Sequence, residues 1–151
     1  MKKFDFRLKR VLDYRQLVKK ESERDFAKKT GRLRMLEQEL EEIIKAQDKA
    51  LFDPKHKVTM AEFSLVEQYQ ERLQEELEEQ RQRVDEASKE VEEARQVYIE
   101  KSIETSILEN LKKKKLEEYR QEAHREERSD LNEMTVQRHR LPKPGGRRKE
   151  D

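Results

Sequence analysis

The side chains that could carry acid–base or metal chemistry are numerous in this sequence, but their spacing supports neither activity. The three histidines, His56, His124 and His139, fit no common metal-ligand spacing, and no cysteine is present to complete a site. The 35 acidic residues lie within stretches that are typical of exposed helix surfaces. General acid–base catalysis instead needs a pocket that shifts the pKa of the catalytic group. The sequence therefore predicts no catalytic residue, no metal site and no cofactor.

Two basic runs could instead contact an anionic partner. These are Lys112–Lys115 and Arg147–Lys149. Neither run is interleaved with aromatic side chains that would stack on bases, and neither leads into a parallel zipper. A solvated helix face is the favoured interpretation, with an acidic protein surface second and nucleic acid third. Direct binding of nucleic acid is not expected.

Aromatic and aliphatic residues near the amino terminus form the sharpest local cluster. Aromatic residues and arginine dominate binding hot spots, so the cluster predicts either a docking surface or a cap on a helical seam. Tyr69 presents a similar choice between a rim position and an exposed anchor. The members of the amino-terminal cluster are Phe4, Phe6, Leu8, Val11, Leu12 and Arg15.

Composition limits the elements that could position these residues. Charged residues make up 47% of the chain and hydrophobic residues 32%, which is too little apolar surface for a two-layer globular core but enough for a narrow seam between helices. Glycine and proline number only 3 each, so turns are scarce. Apolar runs do not exceed the length of Val97–Ile99, so neither a transmembrane span nor a cleaved leader is expected.

One break divides the chain into two predicted helices. Pro54 restricts its own backbone and that of Asp53, so a helix over about 4–52 should end there and a loop should occupy about 53–58. Thr59 and Glu62 have the spacing of a capping box, which predicts the start of a second helix over about 59–141. Val58 and Phe63 are placed to form the accompanying hydrophobic staple.

Both predicted helices carry apolar residues at heptad spacing, which favours supercoiled packing. The second helix has one set of positions at Phe63, Gln70, Leu77, Val84, Val91 and Tyr98, and another at Val66, Leu73, Gln80, Ala87 and Ala94. The first helix has a shorter version at Phe26, Leu33, Leu36, Leu40, Ile43 and Ala50, interrupted by Lys29 and Gln47. Gly31 should weaken this helix by about 1 kcal/mol relative to alanine.

The fold class predicted from these signals is all-α. Residues 1–141 should form a long antiparallel coiled-coil hairpin whose second helix is longer than its first, because a connection of about seven residues allows only an antiparallel return. Residues 142–151 should be a disordered basic tail. The first helix is expected to pack along the second only as far as about Ile107. The stretch from Leu108 to Leu141 is therefore expected to lack a partner within the chain, and nothing is expected to bury Phe4 and Phe6.

The amino-terminal cluster, the charged hairpin and the length together resemble the FliJ family, small cytoplasmic proteins of the bacterial flagellar type III export apparatus. The resemblance extends to about Leu141. It implies a stalk-like coiled coil that binds the export ATPase ring and its regulator, the export-gate membrane protein and export chaperones, at the cytoplasmic face of the membrane at the flagellar base.

The same resemblance implies two binding surfaces. The ATPase-facing end of the family carries the termini, where Phe4, Phe6, Leu8, Val11, Leu12 and Arg15 match it. The gate-binding patch corresponds to Ile43, Tyr69 and Leu73, although two of these also fill heptad positions. The alternative function is a generic coiled-coil scaffold or a nucleic-acid-associated rod, which would more readily self-associate.

Overall fold

The computed structural model describes residues 2–50 and 59–142, and their regular structure is helical. Helix α1 is Lys9–Lys49 with 41 residues, and helix α2 is Met60–Arg140 with 81 residues. The two helices pack against each other, and the second is the longer, which confirms the all-helical prediction at this level. The predicted end of the first helix at Phe52, the predicted loop at 53–58 and the tail from Lys143 onward lie outside the described residues.

Helix α1 begins later than the sequence predicted. The predicted start was about Phe4, whereas residues 2–8 are not helical and the first helical residue is Lys9. The Lys9 backbone N–H donates to the Phe6 carbonyl at 3.0 Å, which makes a turn ahead of the helix. Apolar Phe4 and Phe6 alternate with charged neighbours, and this period of two suits an extended chain rather than a helix.

Helix α2 begins with the predicted capping box. The Thr59 N–H donates to Glu62 Oε2 and the Glu62 N–H donates to Thr59 Oγ1, each at 3.3 Å. The Phe63 N–H donates to the Thr59 carbonyl at 2.9 Å, which is the first helical bond. Val58, the other half of the predicted staple, lies outside the described residues. The box therefore satisfies amide groups that the first turn would otherwise leave without partners.

The chain divides into two compact units. We call Asp13–Thr105 the paired-helix unit, and Met1–Leu12 together with Ser106–Asp151 the terminal unit. The paired-helix unit has 18 basic and 24 acidic residues in sequence, a net charge of −6, whereas the terminal unit has 18 basic and 11 acidic residues, a net charge of +7. The net charge of the whole chain is therefore close to zero although its two units have net charges of opposite sign.

The heptad positions form the core of the paired-helix unit, as predicted. Leu73, Leu77, Ala87 and Ala94 of α2 are each at most 5% exposed. The remaining heptad positions of both helices are buried or half-buried, including the interruptions at Lys29 and Gln47. Phe63 is the exception at 50% exposure. Because each helix contributes a single stripe, the core is a narrow seam with polar residues on either side.

Polar contacts across this seam follow a regular order. Arg15 pairs with Glu104, and Arg32 Nη1 lies 3.4 Å from Glu90 Oε2. Further along α1, Gln47 Nε2 donates to Gln74 Oε1, and just after the helix the Ala50 carbonyl accepts from Gln70 Nε2, both at 2.9 Å. As the residue number rises along α1, the number of its partner in α2 falls.

Among the described residues, two buried polar side chains interrupt the apolar seam, and both are satisfied. Gln80 is 4% exposed, and its Nε2 donates to the Leu36 carbonyl at 3.0 Å and to Glu39 Oε2 at 3.1 Å. Thr105 is 1% exposed, and its Oγ1 lies 2.8 Å from the Lys101 carbonyl. A buried polar group without a partner is costly, so the bonds of Gln80 favour one alignment of the two helices.

The capping box generates the first prediction. Thr59→Ala should lower the free energy of unfolding by about 1 kcal/mol, because it removes the acceptor for the Glu62 N–H. The change should appear as a fall of about 2–4 °C in the thermal midpoint measured by circular dichroism. Ser64→Ala, one turn into the same helix, should not lower the midpoint. Equal midpoints for Thr59→Ala and the wild type would show that the box does not stabilise the helix.

Gly31 generates the second prediction. It lies inside α1 with a helical backbone, and a Cβ built on it meets nothing within 4 Å. Gly31→Ala should therefore raise the free energy of unfolding by up to about 1 kcal/mol, since alanine loses less backbone entropy on folding. Urea denaturation measures the change, and Ala27→Gly in the same helix should give a loss of similar size. A destabilised Gly31→Ala would mean that the backbone there departs from helix.

Candidate functional site

The amino-terminal segment Lys2–Leu8 is fastened to α2 within the terminal unit. The rings of Phe4 and Tyr119 have centroids 5.5 Å apart and are tilted by 53°, which is a favourable aromatic arrangement. The Tyr119 hydroxyl donates to the Lys2 carbonyl at 2.6 Å. These contacts join residues that are more than a hundred positions apart in sequence, so the segment has a defined place on the helix.

A groove with a volume of about 510 Å³ runs between this segment and α2. Phe4, Leu8, Leu111 and Tyr119 supply apolar walls, and Asp5, Arg7, Lys115, Glu118 and Glu122 supply charged ones. Phe6 also lines the groove and is only 8% exposed. The amino-terminal cluster therefore forms a shaped surface together with α2.

This arrangement overturns two sequence-based expectations. Phe6 is buried and Phe4 is half-buried, whereas nothing in the chain was expected to bury either ring. The stretch after Ile107 was expected to have no partner, but the amino-terminal segment packs on it, and Leu111, Leu116, Tyr119 and Ala123 are half-buried. The unpacked part of α2 begins later, since residues 124–142 are all exposed.

The remaining residues of the cluster differ in accessibility. Val11 is 43% exposed, whereas Leu12 is 3% exposed and Leu8 is half-buried. Arg15 belongs to the paired-helix unit, where its guanidinium pairs with Glu104 and its carbonyl lies 3.2 Å from Thr105 Oγ1. Val11 is thus the exposed apolar residue of the set, Phe4 and Leu8 are partly accessible, and Phe6, Leu12 and Arg15 have roles within the fold.

The second predicted patch lies in the paired-helix unit. Tyr69 is 46% exposed, Ile43 is half-buried, and Leu73 is buried in the seam at 5% exposure. Leu65, one turn before Tyr69 on α2, is 65% exposed. Tyr69 is therefore the accessible member of this patch, and Leu65 is an exposed neighbour on the same helix that the sequence analysis did not name.

Exposed lysines lie on α2 beside the groove. Lys112, Lys113 and Lys114 are exposed, and Lys115 Nζ lies 3.1 Å from Glu118 Oε2. Over the described ranges, no group of three acidic, histidine or cysteine side chains is arranged to hold a metal ion. Neither α1 nor α2 has a stretch long and apolar enough to cross a bilayer.

The sequence places this chain in a known protein family. The sequence model of a family described as flagellar FliJ protein matches residues 3–143. This chain belongs to the flagellar FliJ family. The match extends over both helices and includes the amino-terminal segment, and it makes the chain a component of flagellar protein export. A comparison with curated proteins and another with solved structures each found no significant match.

Tyr119 is the contact residue that sequence reasoning on this FliJ-family chain missed. It lies in a charged stretch of α2 where the heptad pattern weakens, so the seam pattern alone does not mark it as a contact residue. The available signal was the spacing. Leu116 lies three residues before Tyr119 and Ala123 lies four residues after it, so the three residues share one face of the helix. A partner from the far end of the sequence cannot be inferred from spacing alone.

The exposed end of α2 generates a third prediction. Amides of residues 124–140 should exchange quickly, with an opening free energy close to zero, because their helix has only local support. Amides of residues 108–119 should exchange more slowly, since the amino-terminal segment packs there. Hydrogen–deuterium exchange with peptide-level mass spectrometry measures both stretches in one experiment. Equal protection of the two stretches would mean that residues 124–140 are packed in solution.

Proposed function

We propose that this protein is a non-enzymatic, stalk-like component of the flagellar type III export apparatus, and that its terminal unit enters the ring of the export ATPase. One observation carries the proposal. The terminal unit combines a net charge of +7 with an ordered amino-terminal segment that carries the half-buried Phe4, and with the exposed Val11 in the first turn of α1. Basic charge would steer the encounter with an acidic or polar lumen, and the apolar residues would hold the complex.

The proposed stalk is an antiparallel coiled coil. Its support is the contact order in the paired-helix unit, where Arg15 meets Glu104 and Gln47 meets Gln74. Heptad residues fill the seam on both helices, as supercoiled packing requires. The proposed domain is residues 1–141, which includes a loop at about 53–58. Residues 142–151 are proposed to form a tail that follows the domain.

A second surface is proposed for the membrane export gate. Tyr69 is its best-supported residue because it is an exposed aromatic side chain on the paired-helix unit, whereas Ile43 is half-buried and Leu73 is buried in the seam. The regulator of the ATPase and the export chaperones are further proposed partners. The proposed location is the cytoplasmic face of the membrane at the flagellar base, reached through protein partners.

Kinetics of binding to the cognate export ATPase provide the fourth prediction. Changing Arg7, Lys9 and Arg10 together to Glu should slow association about tenfold or more at low salt, and the difference should shrink as salt rises. Phe4→Ala should speed dissociation several-fold, because it removes an apolar contact with the partner. It also removes the ring contact with Tyr119 in the free protein, so association should slow as well, but by less than in the triple charge variant. Surface plasmon resonance over a range of salt concentrations separates the two effects.

A charge-matched control distinguishes a local surface from a general field. Arg24, Lys28 and Arg34 are exposed on α1 in the paired-helix unit, and changing them to Glu gives the same change in net charge. That triple variant should associate at close to the wild-type rate. If both triple variants slow association equally, the terminal unit is not the ATPase-facing surface. Phe6 is left unchanged because it is buried, and its loss would disturb folding.

A further inference from the structure

Tyr119 holds the amino-terminal segment at two points. Its ring packs against Phe4, and its hydroxyl donates to the Lys2 carbonyl at 2.6 Å. The first contact fixes a side chain, and the second fixes the backbone two residues earlier. Tyr119 itself is half-buried and also lines the groove.

The segment needs such a fastening because it is short and not helical. Residues 2–6 have no regular structure, and the turn that precedes α1 begins only at Arg7. A free segment of this length would lose its conformational entropy when a partner bound it, and the affinity would fall accordingly. A segment that is already held in place binds without that loss.

We propose that Tyr119 is a positioning residue for the ATPase-facing surface, holding Lys2–Leu8 on α2 so that Phe4 and the basic side chains are in place before the partner arrives. This inference rests on the proposed function for its partner, but the fastening itself is a property of the free protein. The segment remains on α2 in the complex, since Phe6 is buried there and release would expose it.

The fastening is tested in the free protein by trypsin cleavage after Arg7, identified by the mass of the released peptide. Cleavage follows the population in which the segment has opened. Tyr119→Phe keeps the ring and loses the hydrogen bond, so cleavage should rise roughly threefold to tenfold. Tyr119→Ala loses both contacts, and cleavage should rise roughly tenfold to a hundredfold. Leu131→Ala changes an exposed residue of the same helix and should leave the rate unchanged.

A covalent cross-link distinguishes a positioning role of Tyr119 from direct contact between Tyr119 and the ATPase. The chain contains no cysteine, so Lys2→Cys with Tyr119→Cys gives a unique pair that a short bismaleimide can join. The joined protein has no tyrosine ring at position 119 but keeps the segment on α2. Its binding to the cognate export ATPase should return to within about threefold of the wild type. The same variant treated with N-ethylmaleimide should bind about as weakly as Tyr119→Ala.

Each possible result of these experiments either supports or overturns the inference. Faster cleavage in both Tyr119 variants, weaker ATPase binding through slower association, and recovery on tethering support the inference. Unchanged cleavage in Tyr119→Ala overturns it, because the segment is then not held by this residue. Tighter ATPase binding by Tyr119→Ala also overturns it, since the segment would then be a cover that the partner displaces. If the tether restores protection but not binding, Tyr119 contacts the partner directly and is not a positioning residue.

Failure of the proposed function gives a different pattern. A wild-type protein that does not bind the ATPase removes the partner from both proposals, while the cleavage rates still report whether Tyr119 holds the segment. If the wild-type protein binds the ATPase and the Tyr119 variants bind equally well despite faster cleavage, only the positioning role is excluded.

Discussion

The structure depends on one narrow seam of side chains between two helices. With 32% hydrophobic residues the chain has too little apolar surface for a layered core, and a single stripe on each helix must supply the burial that folding requires. Small residues of α2 such as Ala87 and Ala94 are almost fully buried, whereas Phe26 and Tyr98 are half-buried and stack with ring centroids 6.2 Å apart. Most of the surface outside the seam is charged, with scattered exposed apolar side chains such as Leu65 and Tyr69, and its net charge differs between the two units.

Polar residues within the seam add specificity to this burial. Gln80 is buried among apolar neighbours, yet its amide finds both a backbone carbonyl and a carboxylate on α1. Purely apolar stripes of similar residues can pack in several alignments, but a buried amide is satisfied in few of them. Thr105 differs in this respect, because its hydroxyl is satisfied by the carbonyl of its own preceding turn and does not depend on the alignment of the two helices.

Much of the fold followed from local rules in the sequence. The heptads located the seam because helix periodicity acts over a few residues, and the capping box located the start of α2 because both of its partners lie within one turn. The heptad glutamines could be placed in the seam, but their bonding partners could not. The path of residues 2–8 and their packing on Tyr119 were missed because that contact joins opposite ends of the sequence. Of the residues assigned to partner binding, Leu12 and Leu73 are buried, since seam and surface positions alternate within a single helical turn.

The bonds of Gln80 also bear on how the paired helices respond to force along their axes. A shift by one heptad would keep apolar residues opposite one another, but it would replace Glu39 beside Gln80 with Arg32 or Ala46, neither of which offers a side-chain acceptor. The ion pairs of Arg15 and Arg32 would be separated by the same shift. The seam therefore resists sliding, and a push applied along one helix is passed to the other instead of being lost as slippage.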